Sequence, residues 1–417
     1  MSHAIPPADA SPKMPAKITC TETDVLIGGG GPVGLCLALL LAEQQIDVTV
    51  IEQESEIVRD LRASTFHPPT LDMLEQLSVT QRLIARGLPC PTWQIRLHPG
   101  GERAVFDLSV LKDDTRHPYR LQCEQWKLSE ALLEMLNGSR HADVRFSTTV
   151  VSASDRDDRV EVEIEAGGAP ERLRARYVVG CDGARSTIRA CMGLPFEGLT
   201  YPETTLLVTT QFPFEDHLEG LSNVSYCWKA NGNFSLLKVP GRWRVSVYPD
   251  ENAPIEDQMT PDALNASLQD IVARAVPYQI AEQRPYRVHM RMVPQYRKGR
   301  MFVAGDAAHL NTPAGGMGLN GGIHDAFELA SALTDVLRNA APDTRLDAYD
   351  ARRRPIARDD TLAQADRNRA RMRERDPERR RALLRDLQAT TMDRGKLRSY
   401  LRRSSMIDGL ARAAALT

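Results

Sequence analysis

The 417-residue sequence has no closely spaced cysteines, no long apolar run and no excess of charge of either sign. Its seven cysteines are scattered and form no CxxC pair. We therefore expect neither a bound metal nor a redox dithiol, and a reducing cytoplasm is the simplest location. A net charge of −2 gives no reason to expect nucleic acid or an anionic membrane as a partner. The apolar run over residues 35–42 is too short to cross a bilayer.

The start of the chain also lacks the apolar core of a signal peptide. Residues 1–20 are rich in Ala, Pro and Ser, and we interpret them as a disordered tail. A hydrophobic content of 42% and a charged content of 26% are ordinary for a globular protein. The length is sufficient for two or three structural units.

A dinucleotide-binding pattern follows directly after the tail. Residues 24–27 predict a strand, residues 35–44 predict a helix, and residues 47–51 predict a second strand that ends at Glu52. A strand, a helix and a strand in this order form the βαβ unit that binds dinucleotides. The alternative is a glycine-rich turn in an unrelated α/β fold.

The glycine run between the first strand and the helix has one register that fits this unit. Only Gly29, Gly31 and Gly34 satisfy a GxGxxG spacing there. We expect Gly29 to make the tight turn, Gly31 to let backbone N–H groups reach a pyrophosphate, and Gly34 to let the helix pack on the strands. Glu52 ends the second strand, where a carboxylate can accept hydrogen bonds from both hydroxyls of an adenosine ribose.

A second glycine-dense segment lies far along the chain, at residues 304–327. It reads AGDAAHLNTPAGGMGLNGGIHDAF, follows the apolar residues 301–303, and leads into a helix that we expect to begin near Gly318. Glycines this dense fit a place where backbone closely approaches a flat or charged ligand. Its own GxGxxG spacing, which starts at Gly316, lacks the flanking strand and acid, so it does not predict a second dinucleotide fold.

The middle of the chain has β-strand patterns. Residues 159–165 and 173–179 alternate at period two and predict a hairpin, which runs into CDGARSTIR at residues 181–189. Strand-like runs with many aromatic residues follow between 200 and 290. They are typical of an antiparallel sheet with an apolar ligand pocket, and equally of an ordinary sheet core. After residue 346 the chain is helical and Arg-rich, and we interpret this segment as solvated helical faces with i, i+4 ion pairs.

Three separated motifs, GGGPVG with Glu52, CDGARSTIR and GDAAHLNTPAGGMGLNGGIHDA, together resemble the class A single-component FAD-dependent aromatic hydroxylases of the para-hydroxybenzoate hydroxylase type. The resemblance covers most of residues 24–355. It implies an α/β fold with a Rossmann-like discontinuous FAD-binding domain, an inserted, mostly antiparallel β substrate domain and C-terminal helices. The expected division is an FAD-binding domain over 21–80, 115–198 and 288–345, a substrate-binding domain over 81–114 and 199–287, and a C-terminal helical segment over 346–417.

The same resemblance implies which residues contact a non-covalent FAD. The ADP part would lie against the first motif, the ribityl chain against Asp306, and the isoalloxazine against Pro313, which makes Pro313 the flavin-facing candidate for a catalytic role. In this family the Asp-Gly motif, which corresponds to Asp182 and Gly183 here, helps to bind both FAD and NAD(P)H. The positions with an implied cofactor contact are Gly29, Gly31, Pro32, Val33, Gly34, Glu52, Arg62, Gln125, Asp182, Gly183, Arg185, Asp306, Pro313, Gly318, Leu319 and Asn320.

The chemistry implied by the resemblance is hydroxylation of a phenolic or other aromatic small molecule. NADPH or NADH reduces the flavin, the reduced flavin reacts with dioxygen to give a C4a-hydroperoxide, and this species transfers one oxygen atom to the ring. A helix N-terminus at residues 318–320, directed at the flavin N1–C2 edge, would stabilise the anionic reduced flavin. Thr312 and Met317 stand where some relatives have Pro and Lys, so we expect substrate activation to differ.

Several alternatives stay open. A flavin-dependent oxidase or epoxidase would have the same fold, and a non-enzymatic escort protein would share the βαβ unit but not the GDAAH segment. His217, Tyr201 and Tyr226 are candidates to polarise a phenol only because they fall in the pocket region. Gln125 or Arg120 can hydrogen-bond a ligand, although residue type alone does not favour this role. We expect a monomer or homodimer.

Overall fold

The computed structural model describes residues 21–60, 63–250 and 252–416, which form two large β-sheets with helices packed on them. The strands are β1 (Thr21–Gly28), β2 (Val48–Ile51), β3 (Thr65–Phe66), β4 (Leu88–Cys90), β5 (Thr92–Leu97), β6 (Arg103–Asp107), β7 (Arg120–Gln122), β8 (Ala142–Arg145), β9 (Thr148–Asp155), β10 (Val160–Ala166), β11 (Ala169–Gly180), β12 (Glu197–Thr210), β13 (Val224–Lys229), β14 (Gly232–Val239), β15 (Arg242–Val247), β16 (Glu282–Met292), β17 (Arg297–Lys298), β18 (Met301–Val303) and β19 (His309–Leu310).

Helices flank both sheets and make up most of the C-terminal part. They are α1 (Pro32–Glu43), α2 (Pro68–Glu75), α3 (Thr80–Arg86), α4 (Gln125–Asn137), α5 (Thr187–Cys191), α6 (Ile255–Gln258), α7 (Pro261–Gln269), α8 (Gly318–Arg338), α9 (Asp347–Ile356), α10 (Ala363–Arg373), α11 (Pro377–Met392), α12 (Arg394–Ser404) and α13 (Ile407–Ala415). A π-helical segment, Ala357–Leu362, joins α9 to α10. Along the described chain, each helix is too short or too polar to span a lipid bilayer.

The first eight-stranded sheet contains the predicted βαβ unit and the predicted hairpin. Its order is β17-β18-β11-β1-β2-β8, and β10 and β9 extend it from β11. Strand β1 pairs in parallel with β2 and β11, and β11 pairs in parallel with β18. Helices α1 and α8 pack against each other beside this sheet. Helices cover the faces of a parallel sheet and keep it from solvent. Its parallel strands are therefore apolar along most of their length.

The second eight-stranded sheet contains the aromatic-rich strands. Its order is β19-β16-β12-β15-β14-β13-β5-β6, and its pairs are antiparallel except for β13 with β5. One face packs Phe234 and Trp243 against Leu264 of α7. The other face packs Trp228 with Leu401 of α12 in a separate apolar cluster. The C-terminal helices therefore cover one face of this sheet, and a short sheet of β3, β7 and β4 lies beside it.

The interpretation of the Arg-rich C-terminal segment as solvated faces is wrong at two positions. Arg353 is 1% exposed and its Nε donates to Asp325 Oδ1 at 2.8 Å. Arg380 is 3% exposed and donates to backbone carbonyls, among them that of Gly232 at 3.0 Å. Burial of a guanidinium is tolerated where its N–H groups have such partners. The expected tail and Arg62 lie outside the described residues.

Candidate active site

Three motifs meet at one edge of the first sheet. Strand β1 ends at Gly28, which pairs with Gly180 at the end of β11, and Gly180 pairs with Val303 at the end of β18. Because these strands are parallel and adjacent, the turns that follow them are neighbours. Ligands of open α/β sheets bind at such carboxyl ends. We call this region the cofactor edge, and it consists of residues 28–34, 180–185 and 304–306.

The three glycines of the first motif are required for different structural reasons. Gly29 has a φ of +103°, and a Cβ there would lie 2.4 Å from the carbonyl oxygen of Cys181. A Cβ on Gly34 would lie 2.0 Å from the carbonyl oxygen of Gly29. A Cβ on Gly31 would meet no atom of the described residues within 4 Å. Packing within the chain therefore explains Gly29 and Gly34, but it does not explain Gly31.

Helix α1 begins at the cofactor edge without a side-chain cap. Pro32 occupies its first turn and Gly31 its N-cap position, so the first N–H groups and the positive end of the helix dipole are available to an anion. The side chain of the next residue, Val33, packs against the glycine-dense segment. A Cβ on Gly322 would lie 2.5 Å from Val33 Cγ2, and one on Gly305 would lie 3.1 Å from the same atom.

Glu52 lies beside the first motif and is held by backbone N–H groups. Its Oε2 accepts a hydrogen bond from Gly30 N at 2.6 Å, and its Oε1 accepts one from Glu54 N at 2.9 Å. A carboxylate oxygen can accept more than one hydrogen bond. The two bonds therefore fix the orientation of the side chain while leaving it able to accept ribose hydroxyls.

The second motif provides a buried carboxyl and an exposed cation. Asp182 Oδ2 accepts a hydrogen bond from Ile188 N at 3.2 Å, whereas its Oδ1 has no hydrogen-bond partner among the described residues. Burial raises the pKa of the Asp182 carboxyl. Gly183 has a φ of +74°, and Arg185 is exposed. Arg189 Nη1 donates to the carbonyl oxygen of Ala307 at 3.1 Å and so ties this motif to the third one.

The third motif is anchored by a buried ionic cluster that the sequence did not reveal. Asp325 of α8 accepts hydrogen bonds from Arg353 Nε at 2.8 Å, His309 Nε2 at 2.7 Å and Gly305 N at 3.1 Å. Burial alone would raise the pKa of the Asp325 carboxyl, but His309 and Arg353 lower it to about 2. The carboxylate thus fixes the turn at Gly305, and the side chain of the next residue, Asp306, is exposed at the cofactor edge.

The loop between β19 and α8 comes next, and we call residues 311–317 the glycine loop. Pro313 is exposed, and no side chain caps α8, which begins at Gly318. The Asn320 side chain is fully buried; its Oδ1 accepts from His67 N at 2.8 Å and its Nδ2 donates to Gly316 O at 2.7 Å. Asn320 therefore has only its backbone N–H to offer a ligand, as do Gly318 and Leu319 at the helix start.

Gln125 is the remaining described residue with a predicted cofactor contact. It begins α4, and its backbone N–H donates to the carbonyl oxygen of Ala63 at 2.9 Å. Ala63 follows the residues outside the described part of the chain, where Arg62 lies. The structure thus places the backbone of Gln125 next to Ala63.

An aromatic cluster lies between the second sheet and the C-terminal helices. Trp93 stacks on Phe106 with ring centroids 4.0 Å apart and an interplanar angle of 4°. Tyr226 meets Trp93 edge-on at 6.0 Å, and Tyr400 of α12 stacks on Phe106 at 4.9 Å. We call these four residues the aromatic cluster. Trp93 and Phe106 are buried, and stacked and edge-on ring pairs of this kind are both favourable.

Of the three residues proposed to polarise a phenol, only Tyr226 lies in this cluster. Tyr201 donates to Asp366 Oδ1 at 2.6 Å, and burial followed by this bond raises the pKa of Tyr201 to about 12. His217 stacks on Phe212 at 4.7 Å, in the apolar cluster on the opposite face of the second sheet.

The comparisons with known proteins agree with this geometry. A family model described as "FAD binding domain" matches residues 22–363. The para-nitrophenol 4-monooxygenase of Pseudomonas sp. strain WBC-3 is 35% identical over 393 residues, which cover 91% of this chain and 95% of that protein. The chain belongs to the class A FAD-dependent aromatic hydroxylases. HspB, the 6-hydroxy-3-succinoylpyridine 3-monooxygenase of Pseudomonas putida strain S16, is 33% identical to this hydroxylase over 79% of its chain and 84% of HspB.

Solved structures confirm the fold of the hydroxylase. The p-nitrophenol 4-monooxygenase of Pseudomonas putida DLL-E4 has a TM-score of 0.88 at 31% identity, with coverage of 95% of this chain and 99% of that one. Aklavinone-11 hydroxylase, solved with FAD and aklavinone, has a TM-score of 0.76 at 25% identity, with coverage of 85% and 70%. The predicted α/β fold is confirmed, and the protein is an FAD-dependent aromatic hydroxylase that uses NAD(P)H.

The residues of the cofactor edge fit the FAD that this family binds. Packing among the described residues does not require a glycine at position 31. Asp182 has a buried oxygen without a partner among the described residues. Helices α1 and α8 start without side-chain caps. When bound, the flavin activates dioxygen for transfer of one oxygen atom to the ring. The N–H groups at the start of α8 are of the kind that would stabilise a reduced, anionic flavin ring.

Proposed function

We propose that this hydroxylase acts on phenols that carry a substituent para to the hydroxyl, with para-nitrophenol as the first substrate to test. The supporting observation is the extent of the similarity to p-nitrophenol 4-monooxygenase, which covers 95% of this chain and 99% of that structure at a TM-score of 0.88. That extent includes the second sheet and nearly all of the C-terminal helices, which together surround the aromatic cluster. Similarity in the parts that enclose a substrate supports a similar substrate shape.

The names of two relatives indicate a common regiochemistry. One enzyme acts at position 4 of para-nitrophenol and the other at position 3 of a 6-hydroxypyridine. In both rings this carbon is para to the hydroxyl and carries a substituent. For this chain we propose that the new C–O bond forms at the same kind of carbon. With para-nitrophenol the C–N bond breaks, the nitro group leaves as nitrite with the bonding electron pair, and the ring becomes a quinone.

The proposed site roles rest on the geometry of the cofactor edge. Gly29, Gly31, Gly34, Pro32 and Val33 hold the pyrophosphate through the turn and the start of α1. Glu52 accepts the ribose hydroxyls, and Asp306 binds the ribityl chain. Asp182, Gly183 and Arg185 assist in binding both FAD and NAD(P)H, and Arg62 and Gln125 contact FAD. Pro313 packs on the isoalloxazine, and the backbone of Gly318, Leu319 and Asn320 stabilises its reduced form.

We also propose the domain division given by the sequence, with one qualification. Within residues 81–114, β5 and β6 join the second sheet, whereas β4 pairs with β7 in the short sheet. We propose that the protein acts in the cytoplasm as a monomer or homodimer. Its partners in the reaction are a small aromatic substrate and dioxygen, and we propose no nucleic acid partner.

The test is an oxygen-labelling experiment with the purified holoenzyme. We expect a yellow protein whose NAD(P)H oxidation is stimulated by para-nitrophenol, release of one nitrite for each substrate consumed, and one oxygen atom from ¹⁸O₂ in the ring product. Phenol and para-hydroxybenzoate serve as comparison substrates. Hydrogen peroxide as the only oxygen product with every phenol tested would support the oxidase alternative and overturn the proposal.

A further inference from the structure

A buried arginine beside the aromatic cluster has donors without a partner in the described part of the chain. Arg120, in β7, is 3% exposed, and its guanidinium carbon lies 4.7 Å from the ring centroid of Trp93. Among the described residues, Arg120 Nε and Nη1 have no hydrogen-bond partner. Burial lowers the pKa of Arg120, but an arginine keeps its charge in proteins.

Two other buried arginines donate to a carboxylate or to several carbonyls, although Nη1 and Nη2 of Arg353 also lack a hydrogen-bond partner among the described residues. Arg353 donates to the Asp325 carboxylate at 2.8 Å, and Arg380 donates to backbone carbonyls. Arg120 has a side-chain hydrogen bond with Tyr226, and the groups that favour its charged form are Tyr226, Tyr400 and Cys90, none of which is an acid at neutral pH. A buried cation with free donors and no carboxylate beside it is unfavourable unless a ligand provides the anion.

A second buried polar atom without a partner lies near Arg120. His67 is fully buried, and its Nε2 lies 2.9 Å from the carbonyl oxygen of Gly315 in the glycine loop. Since a carbonyl only accepts hydrogen bonds, Nε2 carries the proton and Nδ1 carries the lone pair. His67 Nδ1 has no hydrogen-bond partner among the described residues. Burial and the nearby Arg120 lower the pKa of His67 to about 3, so the ring stays neutral.

The surroundings of Arg120 match an aromatic ligand with an oxygen on its ring. The guanidinium adjoins Trp93 and Tyr226 of the aromatic cluster, while His67 connects the same region to the glycine loop that contains Pro313. A ligand here would border the aromatic cluster and would meet a cationic donor and a neutral acceptor. Guanidinium donors bind oxygen anions strongly.

We propose that Arg120 selects anionic aromatic substrates, because its Nε and Nη1 donate hydrogen bonds to an oxygen anion on the ring, either a phenolate or a carboxylate. The inference rests on the proposed function, since it assigns the recognition of that substrate to a residue. Arg120 is a specificity-determining residue and has no role in holding FAD.

The test measures binding to the oxidised holoenzyme through the perturbation of flavin absorbance. Para-nitrophenolate is paired with its neutral methyl ether, 4-nitroanisole, and para-hydroxybenzoate is paired with its methyl ester. We expect Arg120→Met to raise the Kd of one of the two anions by about 10- to 100-fold and to change the Kd of its neutral partner by less than about threefold. The anion that loses affinity shows whether the phenolate or the carboxylate is bound. Arg120→Lys should recover part of the affinity, since it restores the charge without the planar donors.

Arg380→Met provides the matched control, since it removes an equally buried arginine that packs against the same sheet. We expect it to lower stability and to leave the ratio of anion to neutral affinities unchanged. Equal losses for anionic and neutral ligands in Arg120→Met would show that Arg120 only supports the fold of the cluster, and unchanged affinities would show that it does not face the ligand. Either result would overturn the proposal.

The same measurements separate this inference from the proposed function. If the wild-type holoenzyme hydroxylates para-nitrophenol but Arg120→Met keeps the preference for anions, only the role of Arg120 is wrong. If the wild type binds FAD and oxidises NAD(P)H but hydroxylates none of the phenols, the proposed function is wrong. Binding of the ligand pairs then still reports on Arg120, because it does not depend on turnover.

Discussion

The cofactor edge and the aromatic cluster are built by different means. The cofactor edge consists of backbone turns after three parallel strands, and its contacts are main-chain atoms, glycines and helix starts. The aromatic cluster consists of side chains from the β5–β6 hairpin, β13 and α12, three parts of the chain that are far apart in the sequence. One region is thus defined by short local motifs and the other only by tertiary packing.

In the proposed function, this difference follows from what each region binds. A pyrophosphate and a reduced flavin ring require N–H groups and helix dipoles at fixed positions, and a turn between a strand and a helix provides these locally. An aromatic substrate requires a shaped, mostly apolar space with a few polar groups, which any sufficiently buried segment can provide. We therefore expect substitutions at the cofactor edge to act on folding and FAD binding, and substitutions at the cluster to act on substrate choice.

The largest expected effect comes from the carboxylate beneath the cofactor edge. Asp325→Asn removes the charge that compensates Arg353 and weakens the bond to Gly305 N. Breaking a buried pair from one side costs about 3–5 kcal/mol, and we expect the free energy of unfolding to fall by that amount in urea denaturation. Glu328→Gln on the same helix removes a more exposed pair with Arg352 and should change it by less than about 1 kcal/mol. Equal losses in the two variants would contradict the role given to Asp325.

The same contrast explains how much the sequence could predict. The contact of Gly34 with Gly29 is local, so the βαβ unit could be predicted from spacing alone, whereas the contact of Gly29 with Cys181 could not. Arg353 lies in an Arg-rich run like many exposed helices, and its burial depends on packing against α8, which no local pattern records. Arg120 likewise could be named as a hydrogen-bond donor, but only the folded interior shows that its Nε and Nη1 have no partner among the described residues. A possible signal for Asp325 was an acid among the apolar positions of the helix that follows Gly318.

The next prediction tests the ribose contact at the cofactor edge. Glu52→Ala removes a charged acceptor, and a hydrogen bond to a charged group contributes about 1.5–3 kcal/mol. We expect the Kd of FAD to rise by about 10- to 100-fold when the apoprotein is titrated and the flavin fluorescence is followed. Glu54→Ala is the control, because only the backbone N–H of Glu54 contacts Glu52. A Glu52→Ala protein with unchanged affinity would show that the βαβ register is wrong.

A matched pair of glycine substitutions separates packing from ligand binding within one motif. In Gly34→Ala the new Cβ meets the carbonyl oxygen of Gly29 at 2.0 Å, so the backbone must shift. Overpacking of this kind costs about 1–3 kcal/mol, and we expect a lower midpoint of thermal unfolding for the apoprotein. In Gly31→Ala the Cβ meets no atom of the described residues within 4 Å, so the apoprotein should keep its stability while FAD affinity falls. Loss of apoprotein stability in Gly31→Ala would show that the glycine serves the fold and not the cofactor.

The smallest effect concerns His67, which connects the two regions. Its pKa is about 3 in the folded protein because of burial and Arg120, against about 6.5 in an unfolded chain. Below pH 6.5 the unfolded state therefore binds a proton that the native state does not. This contribution to the free energy of unfolding falls by about 1.4 kcal/mol for each pH unit as the pH drops towards 3.

His67→Gln isolates this contribution from that of other groups, since the amide N–H can still donate to the carbonyl oxygen of Gly315 but does not titrate. In urea denaturation between pH 8 and pH 5, the variant should lose less stability than the wild type. Because the bond to the glycine loop is kept, FAD affinity should remain within about threefold, while affinity for phenols should fall as the Nδ1 acceptor is lost. A variant that loses FAD and keeps phenol binding would place His67 with the cofactor edge and not with the aromatic cluster.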